Sequence, residues 1–459
     1  MGRFLSSCAT ATHGTTEHRR EGSPFLRQPW QLHGREPDTV RDTTDTTDTG
    51  ACGGGAMVID GCAGVTFRRR DRPMNLMPAT YADYRELARR RLPRQLFDYV
   101  DGGAFDENVL RANTEDLQRL TLRQRVMRDV SSRTLETEVL GESLSMPLVL
   151  APVGFAGMFA PRAEVLAARA AERAGITFCE STLSICGIEE VAGSTSRALW
   201  FQLYVMKDRQ YAEELIARAR AAGCSKLVLT VDLPVPGRRF RDARNGLNGG
   251  IAGLHRQWRR LDIASHPRWV RQVALGGKPL TFGNLETAVP TGKVPQDFQH
   301  WVSSQFDASV TWSDLEWIRS LWDGHLIVKG ILDPDDAREA LAHGVDAIIV
   351  SNHGGRQLDD VSSSIRALPE IADAVGGQLE ILMDGGVRSG LDVVKALCLG
   401  ARACLIGRPW VFAVAARGEQ GVADVIESIR VDLVVAMALT GVRDVKDLDR
   451  SVLKNPLFD

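Results

Sequence analysis

The chain has 459 residues, 56 basic and 58 acidic, for a formal charge of −2. That balance excludes a nucleic-acid binder that works by bulk charge, and no apolar run of about eighteen residues exists to cross a membrane as a helix. Apolar residues make up 44% and charged residues 25%, a globular mix that suits two or three average domains or one large barrel. None of the eight cysteines forms a C-x-x-C pair, so no metal site is expected. Cys179 and Cys404 sit in apolar runs, where cysteine acts as a small hydrophobe, and a reducing, cytosolic setting fits best.

Residues 1–76 carry Thr43-Thr44-Asp45-Thr46-Thr47-Asp48-Thr49 and Cys52-Gly53-Gly54-Gly55 without a helical or strand period. Such a stretch cannot bury enough apolar surface to offset its ordering entropy. The expectation is a disordered extension, or an over-long start with true initiation at Met57, Met74 or Met77. Phe4-Leu5 followed by serine and threonine is not the apolar core of a signal peptide.

Residues 77–459 read as one domain. Apolar runs at Pro147–Val153, Thr177–Thr182, Leu199–Val205, Lys226–Asp232, His325–Ile331, Ala347–Asn352, Glu380–Gly386 and Ala403–Pro409 alternate with helical stretches such as Arg162–Ala174, Arg209–Ala222, Pro334–His343 and Gly390–Leu399. Alternating βα units with nearly continuous apolar strands predict a parallel sheet buried on both faces. Eight of them predict a closed (β/α)8 TIM barrel. The rival, an open doubly wound sheet, would carry a G-x-G-x-x-G turn after its first strand, and that turn is absent. The fourth and fifth strands are separated by about ninety residues, a long insertion beyond the usual βα connection.

Barrel enzymes place their chemistry at the C-terminal ends of the strands. Those ends read Ala151-Pro152-Val153-Gly154, Glu180-Ser181-Thr182, Gln202 and Tyr204, Thr230-Val231-Asp232, Lys329-Gly330, Ser351-Asn352-His353-Gly354-Gly355-Arg356, Asp384-Gly385-Gly386-Val387-Arg388 and Gly407-Arg408. Lys329 follows three apolar residues, where an unpaired ammonium is costly; it either partners an anion or electron-rich ring, or reaches solvent. His353 beside Asp232 and Arg356 fits general-base chemistry, against a hydrogen-bonded core histidine and a helix-capping aspartate. Glycines with Arg388 and Arg408 after strands seven and eight suit a phosphate, against two tight turns with solvated arginines. A phosphate there belongs to a cofactor, because His353, Arg239 and Arg356 remain for a substrate.

The run Ser351-Asn352-His353-Gly354-Gly355-Arg356-Gln357-Leu358-Asp359 resembles the active-site motif of the FMN-dependent 2-hydroxy acid dehydrogenase and oxidase family. The likeness extends over about residues 80–450 and includes Phe97–Ala104, Phe201–Val205, Thr230–Asp232, Val328–Gly330 and Asp384–Arg388. Arg123-Gln124-Arg125, Ala151–Gly154 and Gly157-Met158 are most similar to the bacterial quinone-linked L-lactate dehydrogenase branch. The resemblance implies FMN as cofactor and oxidation of L-lactate to pyruvate, with electrons passed to a quinone or cytochrome. It implies that His353 is the base, Asp232 its orienter, and Tyr204 a third member of the catalytic set. Tyr99, Tyr204, Arg239, His353 and Arg356 would bind substrate. Pro152, Val153, Gly154, Ser181, Gln202, Thr230, Lys329, Ser351, Asp384, Gly385, Gly386, Arg388, Gly407 and Arg408 would hold the cofactor. A homo-oligomer, a tetramer, is also implied.

Two alternatives are an oxidase of glycolate or another 2-hydroxy acid, and a non-catalytic flavin-binding barrel; the complete set of His353, Asp232, two arginines and two tyrosines argues against the second. By the same resemblance, Glu180 stands where relatives often carry an apolar residue, and Gly154 where related oxidases often carry alanine. Within residues 237–272, nine arginines face only Asp242 and Asp262, interleaved with Leu254, Trp258, Leu261, Ile263, Trp269 and Val270. This composition suits a segment lying on anionic lipid, against an arginine-rich loop packed on the barrel. The expected location is peripheral, on the cytoplasmic face of the cell membrane.

Overall fold

The computed structural model describes residues 77–247, 254–277, 282–285 and 304–455, which fall within one unit, Asp71–Asp459. The expected disorder of residues 1–76 therefore lies outside the described residues. A short hairpin, β1 (Thr137–Val139) and β2 (Glu142–Leu144), precedes eight parallel strands that close into a barrel. These are β3 (Leu148–Leu150), β4 (Thr177–Ser181), β5 (Trp200–Leu203), β6 (Lys226–Thr230), β7 (His325–Ile331), β8 (Ala347–Val350), β9 (Glu380–Met383) and β10 (Ala403–Ile406), with β10 pairing back onto β3. All eight apolar runs form strands. The strands end one to three residues earlier than the runs, except β7, so most of the polar rim residues stand on loops.

Strand side chains alternate between two faces, and the two apolar clusters follow that alternation. Val149, Cys179, Trp200, Val228, Ile327, Ile349, Leu382 and Leu405 fill the lumen. Leu148, Leu150, Phe178, Phe201, Leu203, Leu227 and Leu229 face the helices outside. Two residues beyond each lumen position comes Ala151, Ser181, Gln202, Thr230, Lys329, Ser351, Asp384 or Gly407. The period of two thus carries the rim residues to the lumen's upper end.

The lower end is closed by the antiparallel β1–β2 hairpin, which is no part of the eight-run pattern. Its two-residue turn places both Leu140 (φ 47°) and Gly141 (φ 74°) in the left-handed region, as a twist-matched hairpin turn requires. Val139 and Leu144 plug the lumen. Glu142 accepts from Lys226 Nζ at 2.9 Å, Trp200 Nε1 at 2.9 Å and Arg197 Nη2 at 3.0 Å.

Before the barrel come helices Tyr81–Arg91, Arg94–Asp101 and Asn108–Arg119. After it, the helical stretch Arg408–Thr440 is interrupted at Gly418, whose φ of 63° and ψ of −145° are not helical. The insertion between β6 and β7 contains helices Phe240–Asn245 and Leu254–Ala264. Its returning end pairs with the segment after β5: Lys207 N donates to Gln305 O and Asp307 N to Val205 O.

Candidate active site

A cavity opens at the C-terminal end of the barrel, lined by Tyr99, Pro152, Val153, Gly154, Gln202, Tyr204, Thr230, Arg239, Lys329, His353, Arg356, Asp384, Gly385, Gly386, Arg388, Gly407 and Arg408, among others. Every expected site residue lines it except Asp232, Ser181 and Ser351, which stand one layer behind. Each of those three holds a lining residue in place.

His353 Nδ1 lies 2.9 Å from Asp232 Oδ1. With Nδ1–H donating to the carboxylate, Nε2 is left as an acceptor. Burial pushes the Asp232 carboxyl up, but the charges of His353 and Lys329 and the hydrogen bond from His353 hold it below its ordinary value overall. His353 has φ 56°, and Gly354 and Gly355 follow at 63° and 72°. This run of left-handed residues turns the chain sharply after β8; the two glycines adopt it freely, and His353 carries the strain of a non-glycine residue there. It is held by Asn352, whose side chain exchanges two hydrogen bonds with that of Asn113 (2.9 and 2.8 Å). Asn113 lies outside the sequence-predicted site, and its spacing gives no sign of the pairing.

Lys329 is 4% exposed. Its Nζ reaches Asp384 Oδ2 at 2.9 Å and Ser351 Oγ at 2.8 Å. Burial disfavours its charge, yet Asp384 and Asp232 outweigh burial and raise its pKa. The Ser351 hydroxyl also accepts from His353 N at 3.0 Å, so one serine fixes both the lysine and the histidine of the rim. Ser181 Oγ donates to Gln202 Oε1 at 3.0 Å. That bond fixes the Gln202 amide with its NH2 towards the cavity.

Several buried polar atoms here lack a partner: Gln202 Nε2, Thr230 Oγ1, Asp232 Oδ2, Arg239 Nε and Asp384 Oδ1. Such atoms cost free energy unless something bound satisfies them. Gly386 has φ 84°, and a Cβ there would collide with Asn113 O. Only glycine serves at this position, because the helix Asn108–Arg119 passes where a side chain would stand. Arg408 is already engaged: Nε, Nη1 and Nη2 donate to Val100 O, Gly354 O and Gly102 O at 2.8–2.9 Å. Burial, then Arg356 and Arg388, push its pKa down to about 9. It ties the pre-barrel helices to the rim, and its remaining N–H groups are what it can offer a phosphate.

Arg356 Nη1 donates to Tyr99 O at 2.5 Å and Gly102 O at 2.9 Å, and its guanidinium lies 4.7 Å from the Tyr99 ring centre. Arg239 sits over the same ring at 5.6 Å. Burial and then Arg239 lower the Arg356 pKa. Two half-buried guanidiniums that repel each other across one tyrosine could hold an anion. Burial raises the Tyr204 pKa, so its phenol stays a proton donor. Leu233, Pro236 and Phe306 also line the cavity. No sequence pattern points to them, and Phe306 arrives from the far end of the insertion.

These features define a barrel site with two arginines beside one tyrosine, an oriented histidine and a set of donors and acceptors that lack partners. The described residues include no cluster able to hold a metal. The family model for FMN-dependent dehydrogenases matches residues 88–455, and the chain belongs to that family. It is 53% identical over 375 residues to an L-lactate dehydrogenase of Stenotrophomonas maltophilia (strain R551-3), covering 81% of this chain and 98% of that one. An L-lactate dehydrogenase of Acinetobacter baylyi (strain ATCC 33305 / BD413 / ADP1) is 51% identical over 371 residues, covering 81% and 96%. A crystal structure of the monotopic membrane protein (S)-mandelate dehydrogenase superposes with a TM-score of 0.77 at 38% identity, covering 82% of this chain and 99% of that one. A mandelate oxidase with (S)-4-hydroxymandelic acid gives 0.70 at 38% identity, covering 82% and 98%.

The residues fit FMN. Gln202 Nε2 and Thr230 Oγ1 are unpartnered at the cavity wall, Lys329 is a buried cation, and Gly385, Gly386 and Arg388 line the cavity where they could hold a phosphate.

The basic stretch 237–272 divides into two parts. Arg239 faces the cavity, and Arg241 bonds Asp101 at 2.8 Å and Glu107 at 2.5 Å. Trp269 is buried, donating from Nε1 to Met158 O at 2.8 Å. Trp258 and Leu261 are instead 64% and 61% exposed, as is Leu275, just beyond the stretch, at 78%. Among the described residues no helix is long and apolar enough to cross a membrane.

Proposed function

We propose that the chain oxidises L-lactate to pyruvate with FMN and passes the electrons to a membrane quinone or cytochrome. The observation that carries this reading is the His353–Asp232 pair opening on the same cavity as Arg239, Arg356 and the unpartnered Gln202 and Thr230. Arg356 and Arg239 grip the substrate carboxylate, with Tyr99 beneath them. Tyr204 donates to the substrate's carboxylate or hydroxyl. His353 takes a substrate proton on Nε2, while Asp232 holds the tautomer and stabilises the imidazolium that forms. FMN, when bound, would accept the two electrons. Pro152–Gly154 would lie along the ring, Gln202 and Thr230 would bond its edge, Lys329 would balance negative charge, and Asp384–Gly386, Arg388, Gly407 and Arg408 would hold the ribityl phosphate. Ser181 and Ser351 act from behind, through Gln202 and Lys329. Relatives named L-lactate dehydrogenase at about half identity support lactate over a bulkier acid.

A membrane-borne acceptor calls for a protein that docks on the bilayer. Trp258, Leu261 and Leu275, exposed among Arg260, Arg268 and Arg271, suit peripheral binding to anionic lipid, and a structural relative is described as monotopic. The cytoplasmic face, a homotetramer and a separate extension at 1–76 complete the reading. Anaerobic L-lactate should bleach the flavin absorption of the purified protein. An unchanged spectrum would sink the substrate, and peroxide formed as fast as a quinone-type dye is reduced would sink the acceptor. High salt should release the protein from anionic vesicles; retention there would remove the electrostatic account of membrane binding.

A further inference from the structure

Arg388 and Arg408 both line the cavity after the last two strands, but they are held in different ways. Each of the three side-chain nitrogens of Arg408 donates to a backbone carbonyl. Arg388 donates from its backbone N to Asp392 Oδ2 at 2.9 Å. That oxygen also accepts from Ser389 N and Ser389 Oγ, both at 3.0 Å, and so closes the N-terminal cap of helix Gly390–Cys398. Among the described residues the Arg388 side chain makes one hydrogen bond, from Nη1 to Val387 O at 3.0 Å, and pairs with no carboxylate.

The Arg388 guanidinium lies instead over a ring, 4.3 Å from the centre of Tyr81. Tyr81 is the first residue of helix Tyr81–Arg91, directly after Thr80, which closes a capping box with Asp83. Its ring meets that of the buried Phe412 at 5.7 Å, and Phe412 stacks on Phe97 at 5.8 Å. Backbone cap and ring packing therefore both fix Tyr81, which stands one layer behind the cavity wall. The substrate end uses the same device, with Arg356 and Arg239 over Tyr99. The first two pre-barrel helices thus each supply one tyrosine to arginines of the rim.

We propose that Tyr81 is a positioning residue for the cofactor: its ring holds the Arg388 guanidinium at the cavity wall, with its free N–H groups set for the FMN phosphate. This rests on the reading that Arg388 binds that phosphate. A ring attracts a cation through the field of its face. It neutralises none of the charge, and it takes none of the N–H donors that a carboxylate partner would take in pairs. Arg388 therefore keeps all but one of its donors and its full charge for a phosphate. A guanidinium already held in place also loses less freedom when the ligand arrives. The ring face alone carries this role, so phenylalanine should serve in place of Tyr81 and an aliphatic residue should not. The first turn of Tyr81–Arg91 then governs how long FMN stays bound.

The test dilutes full-length holoenzyme and follows FMN release by the recovery of flavin fluorescence, a readout independent of turnover. Tyr81→Leu, which keeps apolar bulk without a ring, should release FMN about tenfold faster, within the range of a desolvated cation–ring contact. Tyr81→Phe should stay within about twofold of the wild-type rate, since the ring face remains. Arg388→Gln should also speed release, and adding Tyr81→Leu to it should change the rate by less than about twofold, because the two residues act as one unit. Should Tyr81→Leu fail to fold, Tyr81→Met carries the same expectation. Wild-type release from the ringless variant, equally fast release from Tyr81→Phe and Tyr81→Leu, or full additivity of the two substitutions would overturn the proposal. The two readings fail separately. If Arg388→Gln releases FMN at the wild-type rate, the phosphate is bound elsewhere and the role of Tyr81 falls with it. If Arg388→Gln speeds release while Tyr81→Leu does not, only the coupling through the ring fails.

Discussion

Two buried lysine–carboxylate pairs stand at opposite ends of one lumen. At the bottom, Lys226 meets Glu142 at 2.9 Å; at the top, Lys329 meets Asp384 at 2.9 Å. The bottom carboxylate is fully occupied, because Trp200, Arg197 and the Thr177 hydroxyl share it with the lysine. The top pair has Asp384 Oδ1 unpartnered, with Gln202 Nε2 and Thr230 Oγ1 equally unpartnered around the rim. A saturated network rigidifies the fold, whereas an unsaturated one is held ready for a ligand that completes it. Burial of a charge pair therefore does not by itself mark an active site; the unsatisfied atoms around it do.

The strongest way to break this comparison is at the top. His353→Ala should lower turnover by about 10²–10⁴-fold, the contribution of a general base, while the melting temperature and flavin content stay near wild type. Reduction of the flavin by L-lactate at an unaltered rate would show that the base is elsewhere. At the bottom the outcome should reverse. Lys226→Met should cost about 3 kcal/mol, the lower end for breaking a buried pair because Arg197 remains on Glu142. Thermal unfolding would register that loss while kcat at a temperature below unfolding stays unchanged; a fall in kcat without a fall in stability would refute the division of roles.

Acid should distinguish the ends more gently. Burial pushes the Glu142 carboxyl up, but its hydrogen bonds and Lys226 hold it below its ordinary 4.5 overall. A carboxylate of lowered pKa stabilises the fold above its unfolded value and loses that contribution as pH falls through the folded one. Stability should thus drop below about pH 4.5, and Glu142→Gln should flatten that limb when unfolding is followed against pH. The smallest effect is expected from Thr230→Val. Replacing an unpartnered hydroxyl by a methyl should leave stability unchanged or raise it by about 1 kcal/mol, while FMN titration shows weaker binding. A clear loss of stability would mean that the hydroxyl is structurally engaged.

The sequence discloses the upper end far better than the lower. The apolar runs are legible because a strand buried on both faces has few polar positions. The rim residues then follow by counting in twos, from Val228 to Thr230 or from Ile327 to Lys329. The bottom is illegible for the opposite reason: β1 and β2 have three residues each, too few to show a period, and Glu142 meets Lys226 across 84 positions of chain. The helix Tyr81–Arg91 is equally hidden, because only Tyr84 and Ala88 of it are buried. Asn113 and Phe306 reach the site through tertiary packing alone, which local pattern does not record.

Strands β6 and β7 pair along five residues, from Lys226 with His325 to Thr230 with Lys329, although the long insertion separates them in sequence. Both ends of that excursion are fastened independently: Arg241 to Asp101 and Glu107 on one side, and Lys207 and Val205 to residues 305 and 307 on the other. The closed ladder of the barrel is complete without the peptide bonds between the two fastenings. The register of β6 on β7 is thus set by their own ladder and by the two fastenings, as if the strands were neighbours on separate chains, and not by a short connecting loop.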